Sequence, residues 1–170
     1  AANEGRTLLF VACQNGHLNT ARRLLENDAD VDRSDENGAT PLHVACENRN
    51  LEAVKLLIEY DAAVNQADDD CITPLHIATD SNNIDVARLL LENGASVDKA
   101  DHDGRSPLYI AYVRGHFEIA QLLRSCGADV DYAASGGCTL LSIACRRDDE
   151  GFVASLLLEN GADVDRSDDN

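Results

Sequence analysis

Thr40-Pro41-Leu42-His43-Val44-Ala45 returns almost unchanged as Thr73-Pro74-Leu75-His76-Ile77-Ala78. Looser copies begin at Thr7, Ser106 and Thr139, so the motif opens at 7, 40, 73, 106 and 139 and each interval is 33 residues. A fixed period of this length marks a stack of small units in which each touches only its neighbours, rather than one central core.

Residues 35–67 show what one unit is. Asp35-Glu36-Asn37-Gly38 is turn chemistry, and Thr40 followed by Pro41 places a capping hydroxyl before a residue whose missing N–H costs nothing at the first helical position. The pattern predicts a short helix to about Asn48, a break at Arg49-Asn50, and a second helix with Leu51, Val54, Leu56, Leu57 and Ile58 on its apolar side, ending near Tyr60-Asp61. Neither helix can bury that side alone. The T-P-L-H-x-A pattern at this period resembles the ankyrin-repeat family, and the resemblance covers the whole chain. It implies an all-α repeat solenoid of paired antiparallel helices joined by β-hairpin-like fingers. The repeats would run over about 2–34, 35–67, 68–100, 101–133 and 134–167, with 168–170 opening a truncated sixth. Val164 to Asn170 matches Val31 to Asn37, the segment that leads into a new repeat; with the absence of Met, this sets the expectation of a piece of a longer array.

The repeats differ where the motif is broken. The first has Leu8 for Pro, Phe10 for His, and Arg23 where later repeats have Leu56, Leu89 and Leu122, so that side is expected to face solvent as an N-terminal cap. Cys71 stands at the turn glycine's place and is expected to be strained if the turn keeps its shape. The fifth departs most, with Ala134 for the turn Asp, Leu140 for Pro, Cys145 to Glu150 in place of the glycine-containing break, and one extra residue.

The formal net charge of -17, with no basic cluster, argues against nucleic acid, whose phosphates ask for Lys and Arg, and points to a basic protein or extended peptide. No apolar run approaches the roughly 20 residues of a membrane span and no signal-peptide pattern opens the chain, so an intracellular protein, cytoplasmic or nuclear, is expected. The six cysteines lack C-x-x-C spacing and are expected to be reduced, and no metal or cofactor is expected. Asp28 to Asp32 imitates the start of a calcium loop, but Arg33 and Ala39 occupy the places of its Gly and Glu. His43 and His76 have no nucleophile or carboxylate at matched spacing, so no catalytic residue is expected. The resemblance implies that they form hydrogen bonds between repeats.

More than half of the 31 acidic residues lie in the inter-repeat segments, which form the fingers under the resemblance. Turn and capping chemistry explains the first Asp of each; the others could steer a basic partner. The resemblance further implies a concave groove lined by finger tips and the solvent side of the first helices. The partner-binding candidates are Glu36, Asn37, Glu47, Asn48, Asp69, Asp70, Ile72, Asp80, Ser81, His102, Asp103, Arg105, Tyr109, Tyr112, Arg114 and Arg146, with Gln14 and Asn15 at the corresponding places of the first repeat. Tyr109 and Tyr112, three apart on one helix and flanked by Arg105 and Arg114, are the expected energetic centre. The reading is a non-catalytic interaction module. The alternatives are a structural spacer in a longer solenoid, and a substrate modified at Asn65, because Leu57, Val64 and Asn65 resemble the residues around which an asparaginyl hydroxylase acts in many ankyrin hairpins.

Overall fold

The computed structural model describes residues 5–133, 139–146, 152–159 and 161–165. Among these, ten helices follow one another in pairs: α1 (Leu8–Gln14) and α2 (Leu18–Leu25), α3 (Pro41–Glu47) and α4 (Leu51–Glu59), α5 (Pro74–Asp80) and α6 (Ile84–Glu92), α7 (Pro107–Arg114) and α8 (Phe117–Ser125), α9 (Leu140–Arg146) and α10 (Phe152–Glu159). The chain forms two compact units, Ala1–Ser96 and Val97–Asn170. In the first, α1, α3 and α5 pack in series, as do α2, α4 and α6. In the second, α7 packs on α8, α9 on α10, and α7 on α9. This is the all-α, helix-pair repeat that the 33-residue period predicts.

The period places like residues against like. Leu9, Leu42 and Leu75 are each 1% exposed or less, with Ala12, Ala45 and Ala78 buried beside them, small enough to let neighbouring first helices approach. Val54, Leu57, Val86 and Leu90 fill the layer of second helices. In the second unit Leu108, Ala111, Ile119 and Leu123 do the same. Arg23 is exposed, as its charge requires, while Leu56 at the same register is buried.

Most helix starts are tied by a side chain, α2 and α8 being exceptions. Thr7, Thr73, Ser106 and Thr139 accept the backbone N–H three residues on, at 3.1, 3.4, 3.2 and 3.2 Å, which satisfies a donor the helix cannot. Asn50 and Asn83 do so for α4 and α6. Neighbouring repeats are then laced by polar bonds in register. In the first unit Asp32 Oδ1 accepts from Ala63 N at 3.0 Å and Asn65 Oδ1 from Ser96 N at 2.7 Å. In the second, Asp98 accepts from Asp129 N at 3.0 Å and Asp131 from Asp163 N at 2.8 Å. The last step spans 32 residues where the others span 31, so the extra residue of the fifth repeat is absorbed there.

The fingers contain no strand among the described residues. Each is a turn closed by two backbone bonds, Asp35 N to Ala39 O, Asp68 N to Ile72 O and Asp101 N to Arg105 O at 2.9 to 3.0 Å, and in return Gly38 N to Asp35 O, Cys71 N to Asp68 O and Gly104 N to Asp101 O at 2.9 to 3.2 Å. The turn needs a left-handed residue at its tip. Gly38 has φ 78°, and a Cβ there would stand 2.8 Å from Asp69 Oδ1 and 2.9 Å from Asp69 N, so glycine is required twice over. Cys71 holds the same conformation at φ 61°, the strain its position foretold. A side chain opposes this region by about 1–2 kcal/mol, against which glycine loses some chain entropy. Cys71→Gly is therefore expected to stabilise the protein by about 0.5–1 kcal/mol in urea melts; a loss of stability would show that Cys71 contributes contacts that outweigh its strain.

Candidate functional site

The finger carboxylates divide into those the fold uses and those it leaves. Asp35 Oδ1 accepts from Asn37 N and Ala39 N, Asp68 Oδ1 from Asp70 N and Ile72 N, and Asp101 Oδ1 from Asp103 N and Arg105 N, all at 2.8 to 3.1 Å. Arg6 Nε also stands 3.7 Å from Asp35 Oδ2, and its guanidinium lies 5.4 Å from the centre of the Phe10 ring. These three aspartates are turn residues. Glu36, Asn37, Asp69 and Asp70 remain exposed at the tips, which the Asp69 N to Asn37 O bond of 3.0 Å holds side by side. Glu36, Asp69 and Asp70 enter no ion pair among the described residues.

Behind the tips lies His43, 2% exposed. Its Nδ1 accepts from Thr40 N at 3.1 Å, and Thr40 Oγ1 lies 2.8 Å away. Because Nδ1 accepts a backbone N–H it carries no proton, so Nε2 is the protonated nitrogen and donates to Ile72 O at 3.0 Å. One neutral imidazole thus ties the start of α3 to the next finger. Burial holds its pKa below the usual histidine value, opposed by the bond to Ile72 and by Asp68 and Asp35. His76 repeats the local half of this arrangement, accepting from Thr73 N at 3.1 Å.

At the far end of the first helices, Glu47 and Asp80 are exposed. Asn48 donates Nδ2 to Val44 O at 2.9 Å and Ser81 donates Oγ to Ile77 O at 2.8 Å, so both close helix ends. Arg49 donates to Ser81 O from the preceding repeat. In the second unit His102, Asp103 and Arg114 are exposed and Tyr109 is half-buried. Arg105 Nε binds Asp101 Oδ2 at 2.8 Å and Nη2 stands 3.0 Å from Asp103 Oδ2. The hydrogen bond to Asp101 is the main cause that raises its pKa.

A family model described as ankyrin repeats matches residues 1–68, 63–134 and 98–168. The chain belongs to the ankyrin-repeat family. No curated protein sequence matches it. Ankyrin repeats are in general protein–protein interaction modules and are typically non-catalytic. Among the described residues no helix is long and apolar enough to cross a membrane, and no group of three or more His, Cys, Asp or Glu could hold a metal ion.

Set on this ankyrin frame, the expected binding residues fall into two groups. Glu36, Asn37, Glu47, Asn48, Asp69, Asp70, Asp80 and Ser81 share the first unit, at the two ends of α3 and α5, with Ile72 half-buried between the tips and His43. His102, Asp103, Arg105, Tyr109 and Arg114 share the second. Tyr112 is a correction: at 5% exposure it is a core side chain, and burial raises its phenol pKa. It stands in register with Cys13 and Cys46, which are likewise buried, so this register turns inward. Arg105 is also less available than expected, since its guanidinium serves its own finger. The side chain of Arg146, at the end of α9, lies outside the described residues. Asn65 uses both ends of its amide, donating Nδ2 to Gly94 O at 2.8 Å as well as accepting from Ser96 N.

Sequence reading missed this lacing of hairpin to hairpin, although Asp32, Asn65, Asp98 and Asp131 recur at the common period. It did not find the helix-closing role of Asn48 and Ser81. The described cysteines Cys13, Cys46, Cys71, Cys126 and Cys145 are free. Burial pushes the Cys13 thiol up to about 11 and the Cys46 thiol higher still, which makes both inert.

His43 gives this site a pH signature. A depressed folded pKa means that its contribution is fully present above the unfolded value of about 6.5 and is lost as pH falls below that toward the folded pKa. His43→Gln keeps a side chain able to reach back to the cap. The stability difference between wild type and His43→Gln, from urea melts, is expected to shrink from pH 7.5 to pH 5; a difference that stays constant would show that His43 binds no proton differentially.

Proposed function

We propose that this ankyrin array is a protein-binding module whose first unit recognises a basic protein or extended peptide. The observation that supports this is the set of carboxylates left over once the turns are built. Glu36, Asp69 and Asp70 on adjoining tips, and Glu47 at the end of α3, are exposed and serve no bond that the fold requires. Exposed like charges on one face raise the local potential and speed the approach of an opposite charge, more at low salt than at high salt. In the second unit Tyr109 and Arg114 offer the aromatic and guanidinium groups that dominate interface energetics. A duplex phosphate backbone would meet repulsion at the first unit.

Panning a random peptide display library against the whole chain tests the reading. Enriched peptides should carry an excess of Lys and Arg, and the combined change Glu36→Gln, Asp69→Asn and Asp70→Asn should lower their affinity at least about tenfold while slowing association more than it speeds dissociation. Enriched peptides without a cationic excess, or an affinity indifferent to the three changes, would overturn the acidic surface. Failure to enrich any peptide would favour a structural spacer.

A further inference from the structure

The lacing between successive repeats uses one bond in common. A side-chain oxygen of Asp32, Asn65, Asp98 or Asp131 accepts the backbone N–H of Ala63, Ser96, Asp129 or Asp163 in the next repeat. In the same register Asp165 holds the acceptor's place in the fifth repeat, and Asp30 holds the donor's place in the first. Neither is used. Among the described residues no N–H reaches the Asp165 carboxylate, and the Asp30 N–H reaches no acceptor. Both halves nevertheless keep the shape of a filled one. Asp32 N binds Asp30 Oδ1 at 3.1 Å and Asp165 N binds Asp163 Oδ1 at 2.9 Å, as Asp131 N binds Asp129 Oδ1 at 2.9 Å between them.

Apolar side chains mark the same two places. Leu8 is 75% exposed, whereas Pro41, Pro74, Pro107 and Leu140, at its register in the later repeats, are all buried. Val164 is 67% exposed, whereas Val130, at its register in the fourth repeat, is 7% exposed. Charge is complementary as well. Arg23 is exposed on α2 and enters no ion pair among the described residues, and the first repeat carries the smallest net negative charge of the five. Glu159, Asp163 and Asp165 are exposed on the fifth. The formal charge of -17 on each copy opposes association, but beyond about 8 Å that repulsion is largely screened at physiological salt.

We propose that copies of this chain join head to tail, the fifth repeat of one stacking on the first repeat of the next, with Asp165 accepting the Asp30 N–H. A second copy fits because each open half is the complement of the other. The donor that Asp165 lacks is displayed by the first repeat, in the geometry that the filled bonds use. Such a contact is heterologous, so a dimer keeps one open half of each kind and adds further copies unless the assembly closes into a ring. It does not involve the acidic finger tips, so it stands or falls separately from the binding of a basic partner.

Sedimentation velocity of the whole chain from about 10 μM to about 1 mM tests this, a range suited to a small interface. The weight-average sedimentation coefficient should rise with concentration. Leu8→Glu spoils the face of the first repeat and Asp165→Lys that of the fifth. Both sites are exposed, so the melting curves at low concentration should match wild type. Each variant alone should stay monomeric, while an equimolar mixture should form a 1:1 dimer and nothing larger, because it pairs the one intact half that each variant retains. A wild type that stays monomeric throughout would overturn the proposal. So would association that survives either change alone, or a mixture that forms no dimer.

Discussion

Helices of seven to nine residues do not stand alone in water: the first turn costs more than so few hydrogen bonds return. Every helix described here is of that length or within a residue of it, so each depends on a neighbour one period away. The dependence is visible at atomic detail in the first unit. Leu42 and Leu75 are sealed by stacked helices, His43 reaches Ile72, and Asp32 and Asn65 each capture a backbone N–H of the following repeat. The contacts are local in space and regular in sequence. Cohesion is a sum of neighbour terms rather than the property of a centre.

That constraint also decides which residues are left for function. A turn must spend its first carboxylate on its own backbone, so Asp35, Asp68 and Asp101 are committed, and the surface chemistry falls to the residues just after them. The same holds at the other helix ends, where Asn48 and Ser81 spend donors on helix carbonyls.

Much of this was legible from residue types at a fixed spacing. Thr40-Pro41 fixed the start of α3, and Cys71 in a glycine's place foretold a left-handed residue under strain, because backbone conformation follows from local chemistry. What faces what across repeats was harder to read. Tyr109 and Tyr112 are three residues apart and so share a helix side, yet the roughly 60° between them suffices to bury one and leave the other half-exposed. Cys13 and Cys46 at the register of Tyr112 could have warned of it. Arg105 read as a free cation because sequence alone does not reveal that Asp101 and Asp103 of its own turn would grip it.

If packing between repeats carries the stability, a fully buried side chain must matter more than a half-buried one at the same register. Leu75 is 1% exposed, whereas Leu141, at the same register of the fifth repeat, is half-buried. Urea melts of Leu75→Ala and Leu141→Ala compare them directly. The account predicts a loss of about 2–5 kcal/mol for Leu75→Ala and a clearly smaller loss for Leu141→Ala. An equal or larger loss at Leu141 would contradict it.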